Sequence, residues 1–228
     1  MDYTYAEVAG MIDHSLLRPM LAQEELEAGC RLAREYLVAS VCILPYYLGR
    51  CAQLLAGSRV APGTTIGFPH GAHATRVKAF EADQALADGG LELDMVVNVS
   101  KVLSGDWAYV RDDIRAVLDR VRTRGAKLKV IFENCYLDTA QKIRLCEICG
   151  ELSVDWVKTS TGFGSGGATD EDLVLMRQHT PAHVQVKAAG GVRDLDRLLR
   201  VRELGCTRSG ATATRVILDE AKRRLAMA

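Results

Sequence analysis

The sequence lacks an excess of charge of either sign: 29 lysine and arginine residues balance 29 aspartate and glutamate residues. Binding along a nucleic acid needs a basic footprint, so the balance excludes that class and confines any anion site to one locality. An apolar run long enough to span a membrane is missing, as is a secretory leader. The expectation is a cytoplasmic protein with neither nucleic acid nor membrane as partner. Disulfides are disfavoured, because the seven cysteines (Cys30, Cys42, Cys51, Cys135, Cys146, Cys149 and Cys206) are odd in number and scattered. Cys146 and Cys149 have C-x-x-C spacing, but no second pair follows to complete a zinc site, and the pattern around them reads as buried helix packing. No metal or other cofactor is expected.

Linkers and low-complexity runs are absent as well, so residues 1–228 read as one domain. No G-x-G-x-x-G follows the first apolar segment, which sets aside a dinucleotide-binding open sheet.

What is present is alternation. Strand-like segments at 11–17, 37–44, 64–68, 91–97, 127–132, 154–158, 184–187 and 206–209 are separated by stretches of helical periodicity. Pro45 ends the second segment, Gly89 and Gly90 stop the helix of 75–87, and Asp138 with Gln141 forms a capping box. Thr169 with Asp172 resembles another helix start. Eight strands alternating with helices predict an α/β fold, a single (β/α)8 TIM barrel, with a short extra N-terminal helix over 4–10.

Active sites of such barrels lie at the carboxyl ends of the strands. Asp13, Cys42, Asp94, Glu133, Lys158 and Lys187 fall there. A single buried Asp or Lys is more often an internal ion pair than a catalyst. Two lysines in equivalent places are harder to explain by packing: Val157-Lys158-Thr159-Ser160-Thr161-Gly162 and Val186-Lys187-Ala188-Ala189-Gly190-Gly191 each run a strand into a lysine and then glycine. On neighbouring strands their like charges would lower the pKa of one, and a neutral amine is a nucleophile. Such a lysine forms a Schiff base with a carbonyl substrate, and a nearby carboxylate moves the protons. That is class I aldolase chemistry, which needs no metal.

Four segments together resemble the deoxyribose-phosphate aldolase family across nearly the whole chain: Ile12 to Leu17, Glu92 to Asn98, Val157 to Phe163, and Val186 to Arg193. The resemblance implies reversible cleavage of 2-deoxy-D-ribose 5-phosphate to acetaldehyde and D-glyceraldehyde 3-phosphate. It also implies a sugar phosphate and aldehydes as small-molecule partners, and a homodimer. It assigns the imine to Lys158, the second lysine to Lys187, a proton shuttle to Asp94 and a supporting acid to Asp13. Cys42 matches a cysteine close to the substrate. Thr161, Gly162, Gly190, Gly191, Arg193, Gly210 and Thr212 are the expected substrate contacts, with backbone N–H groups at the glycines suited to phosphate. After the last strand the family shows two serines where this chain has Thr212 and Ala213, and Arg215 offers a replacement charge. Two readings compete: a Schiff-base aldolase of the same fold with a different or non-phosphorylated acceptor, and a non-catalytic sugar-phosphate binder.

Overall fold

A computed structural model describes residues 3–227. Eight parallel strands form a closed barrel in chain order: β1 (Ile12–Leu16), β2 (Ser40–Ile43), β3 (Ala61–Ile66), β4 (Glu92–Val96), β5 (Lys127–Ile131), β6 (Trp156–Lys158), β7 (Gln185–Ala189) and β8 (Arg208–Ala211). The last strand pairs with the first, Gly210 opposite Asp13, so the open-sheet alternative is excluded. The helices are α1 (Tyr5–Ala9), α2 (Gln23–Tyr36), α3 (Leu48–Leu55), α4 (Thr75–Ala87), α5 (Val99–Leu103), α6 (Trp107–Thr123), α7 (Thr139–Leu152), α8 (Asp170–His179), α9 (Leu195–Glu203) and α10 (Thr214–Ala226). The short leading helix is α1, capped by Thr4. Cys146 and Cys149 are buried on α7, as the helical pattern predicts.

Local chemistry explains most boundaries. Asp138 and Gln141 cap α7 reciprocally, and the Thr169 side chain accepts from the Asp172 N–H at the start of α8. Several strand limits differ from the sequence reading. The second strand starts at Ser40 because Leu37, with φ +56°, is the left-handed C-cap of α2. The third starts at Ala61 and runs through Pro62. Proline removes one donor there, while the Pro62 carbonyl still accepts from the Leu91 N–H at 2.8 Å. The eighth strand extends to Ala211, and α5, capped by Asn98, has no counterpart in the sequence reading.

The apolar core lies outside the barrel wall. Ile12, Val41, Ile43, Leu93, Met95, Leu128, Val130, Val157 and Val186 alternate along the strands and are buried with the apolar faces of the helices, such as Val110, Ile114, Val117 and Val121 of α6. Each fully buried side chain of this kind contributes about 1.5–3 kcal/mol. A buried ion pair, Lys78 to Asp113 at 2.6 Å, joins α4 to α6, and the same ammonium reaches the Val96 carbonyl at the end of β4.

Register fixes what points inward, since residues paired across parallel strands share a face. Asp94 pairs with Lys129, Lys129 with Trp156, Lys158 with Lys187, and Lys187 with Arg208. The interior of this barrel is therefore built largely from charge.

Candidate active site

The inward-facing charges form one connected cluster. Lys158 Nζ lies 2.8 Å and Lys187 Nζ 2.7 Å from the same oxygen, Asp94 Oδ2. Lys129 Nζ takes the other oxygen at 2.9 Å and also reaches Glu92 at 2.6 Å. Asp13 holds Lys187 at 2.6 Å and Arg208 at 2.5 Å, and Arg208 returns to Glu92 at 2.9 Å. Beneath it, the Trp156 ring has Arg208, Lys127 and Lys129 at 4.9, 5.2 and 5.8 Å from its centroid, and its indole N–H donates to the Thr207 hydroxyl. Such contacts place cations against the negative face of the ring.

Lysine and arginine in this cluster number four (Lys129, Lys158, Lys187, Arg208), against three carboxylates (Asp13, Glu92, Asp94). Fully ionised, it carries one uncompensated positive charge in a buried space. Releasing one proton restores balance, and the surroundings single out which group releases it. Burial pushes the Lys158 pKa down, the Lys187 ammonium adds to this, and Asp94 opposes it. For Lys187 burial acts in the same sense, but Asp13 and Asp94 outweigh it and the pKa is raised. Burial is thus a larger cause of the Lys158 shift than the like charge invoked from sequence. Asp94, against the penalty of burial, is held well below the usual carboxylate range by Lys129, Lys158 and Lys187. Asp13 is lowered too, Lys129, Lys187 and Arg208 overcoming burial.

Above the cluster a cavity of about 240 Å³ opens at the carboxyl ends of the strands. Lys158 and Lys187 form part of its lining, with Thr161, Gly162, Gly190, Gly191, Arg193, Gly210 and Thr212, all expected from sequence. Asp13, Asp94 and Cys42 are buried and do not line it. Cys42 pairs in register with Ser15 on the neighbouring strand, and burial pushes its thiol up to about 11. Gly162, Gly190 and Gly191 have φ of +88°, +85° and +90°, which only glycine adopts without strain. Ala213 precedes α10 without a side-chain cap, so the first N–H groups of that helix have no cap from its side chain. The Thr214 hydroxyl is turned away to His14 Nδ1, 2.8 Å distant.

Arg215 does not supply the charge that the sequence suggested. Its guanidinium lies over the Tyr36 ring, 5.7 Å from the centroid, while Arg193 and Arg18 line the cavity instead. Sequence reasoning also missed Lys129, Glu92 and Arg208. Glu92 and Asp94, two apart on one strand, were a signal that both carboxylates share a face. Among the described residues no group of three or more His, Cys, Asp or Glu side chains is arranged to hold a metal ion.

The pattern of the DeoC/LacD family aldolases matches residues 8–217. A deoxyribose-phosphate aldolase of Rhodopirellula baltica is 61% identical over 226 residues, covering 99% of this chain and 94% of that protein. One from Clostridium tetani is 42% identical, covering 95% of this chain and all of its own length (100%). The chain belongs to the DeoC/LacD aldolase family. Among solved structures, the tetrameric deoxyribose phosphate aldolase of Aeropyrum pernix superposes on this DeoC/LacD aldolase with a TM-score of 0.88 at 26% identity, covering 96% of this chain and 92% of that one. No helix of this family member is long and apolar enough to cross a membrane, among the described residues.

Proposed function

We propose that this chain is a class I aldolase that reversibly cleaves 2-deoxy-D-ribose 5-phosphate to acetaldehyde and D-glyceraldehyde 3-phosphate through a Schiff base on Lys158. The observation that carries the reading is the shared Asp94 oxygen between Lys158, with its lowered pKa, and Lys187, with its raised one. The related deoxyribose-phosphate aldolases support the choice of substrate.

Neutral Lys158 attacks the C1 aldehyde of the open-chain sugar, and loss of water from the carbinolamine gives the protonated imine. The proton of the C3 hydroxyl passes to a water relayed to Asp94, and the C2–C3 bond breaks. Its electron pair flows into the iminium, releasing glyceraldehyde 3-phosphate and leaving an enamine. Protonation at C2 and hydrolysis then return acetaldehyde and free lysine. In this scheme Asp94, working with a water, shuttles protons to the carbinolamine and the enamine, Lys187 is the charged neighbour, and Asp13 holds Lys187 in place. Lys129 holds Asp94 and Arg208 holds Asp13, and Glu92 ties these two cations together. The phosphate takes the backbone N–H groups at Gly162, Gly190 and Gly191 and the start of α10, with Arg193 and Thr212 beside them. Cys42 packs beneath the substrate as a neutral thiol.

Borohydride reduction in the presence of acetaldehyde tests the assignment: a two-carbon adduct forms on Lys158. Active enzyme left unmodified at that residue rejects it. For assembly we adopt the homodimer, checked by light scattering at twice the 24.9 kDa chain mass, and for compartment the cytoplasm, supported by the cysteine pattern.

A further inference from the structure

One polar strand-end residue, Glu133, takes no part in the ion cluster. It lies just past the end of β5, 3% exposed, with φ +58° in the left-handed region. A residue other than glycine held there costs on the order of 1–3 kcal/mol, so surrounding contacts must enforce it. The contacts are specific. The carboxylate accepts from the Thr161 backbone N–H at 3.1 Å through Oε1 and from the Thr161 hydroxyl through Oε2. The same hydroxyl accepts from the Phe163 N–H at 3.0 Å. Two of three consecutive N–H groups are thereby consumed. The one between them, on Gly162, has no hydrogen-bond partner among the described residues, and Gly162 lines the cavity.

Both bonds to Thr161 come from donors, so the group receiving them must offer an acceptor at each oxygen. An ionised carboxylate does this, whereas a carboxamide would point an N–H2 at one donor. The following loop rests on the same residue: a Cβ at Gly164 would meet Glu133 Cδ at 3.1 Å and Cys135 Sγ at 2.8 Å.

We propose that Glu133 is a positioning residue, which clamps Thr161 and Phe163 so that, of these three consecutive N–H groups, that of Gly162 is the one presented to the phosphate of the substrate. It touches neither substrate nor the reacting atoms, and acts through Thr161. The inference rests on the aldolase reading above. Because the phosphate is remote from the bond that breaks, the clamp contributes to binding of ground and transition states alike and is read in KM.

The test compares 2-deoxyribose 5-phosphate with 2-deoxyribose in wild type, Glu133→Gln and Glu133→Gly, the last suiting a positive φ while deleting the carboxylate. Both variants are expected to lose about tenfold or more in kcat/KM for the phosphorylated sugar, the value of one hydrogen bond to a charged group. The loss falls mainly on KM, with cleavage of the unphosphorylated sugar within about twofold of wild type and the acetaldehyde adduct on Lys158 intact. Equal losses on both sugars, or phosphorylated-sugar kinetics that are unchanged or improved, overturn the proposal. A wild-type chain that forms no adduct overturns the aldolase reading and this proposal together.

Discussion

Lys158 and Lys187 are register partners on adjacent strands, yet their surroundings drive their protons in opposite directions. The difference lies in the second carboxylate: Lys187 has Asp13 at 2.6 Å as well as Asp94, whereas Lys158 has Asp94 alone. One lysine is stabilised as a cation, and the other is the one the proposed reaction needs as a neutral amine.

Lys158→Leu should lower cleavage of 2-deoxyribose 5-phosphate by about a thousandfold or more, since Lys187, the other amine lining the cavity, is held as a cation. The substitution removes the surplus cation from the cluster, so the variant should remain folded, as read by circular dichroism and urea titration. Wild-type cleavage by this variant contradicts the assignment.

Lys187→Leu should raise the Lys158 pKa. It removes a like charge and leaves Asp94 to pair with Lys158 undivided. The nucleophile is the neutral amine, so the rate of imine formation falls as pH drops below that pKa, and a higher pKa moves this acid limb upward. The pH dependence of borohydride-trapped adduct measures it; a limb that stays or moves downward goes against the expectation.

Arg208→Leu strips the guanidinium from Asp13 and Glu92, both buried. Asp13 keeps Lys187 and Glu92 keeps Lys129, so the cost falls below the roughly 3–5 kcal/mol of a buried charge left with no partner, yet exceeds the less than about 1 kcal/mol of an exposed pair. Arg144→Leu, which breaks the pair with Glu147 on the surface of α7, is the control. Denaturant unfolding should rank the two variants in that order.

His14 gives a pH dependence of stability. Burial lowers its pKa to about 4, from about 6.5 in the unfolded chain. Between these values the unfolded state binds the extra proton, so the contribution is complete above about pH 6.5 and is lost as pH falls toward 4. From pH 7.5 to pH 5 the loss is about 2 kcal/mol. His14→Gln, which retains a partner for Thr214 but does not titrate, should lose less stability over that interval in parallel urea titrations.

Much of the fold is legible because strand and helix periods alternate without interruption, and each Lys-to-Gly junction marks a strand end at the catalytic face. Features decided by long-range closure are not. The alternation of Lys127, Leu128, Lys129 and Val130 reads as a strand without saying which face turns inward. Only closure of β8 onto β1 turns Lys129 inward and brings Arg208 to Asp13. Leu37 in a left-handed cap runs against its intrinsic preference, and Pro62 within a central strand runs against the usual punctuation. Arg193 and Arg215 look alike in sequence as charges near a helix start, and only packing separates the one at the cavity from the one stacked on Tyr36.

The indole of Trp156 lies beneath the cluster, with three cations around it. Lys158 is 4% exposed and lines the cavity above, so a ligand seated there stands between the amine and bulk water. The amine then exchanges hydrogen with bulk water chiefly when the cavity is empty. Acid–base equilibration and turnover are thereby tied to one doorway, and a tightly held ligand arrests both together.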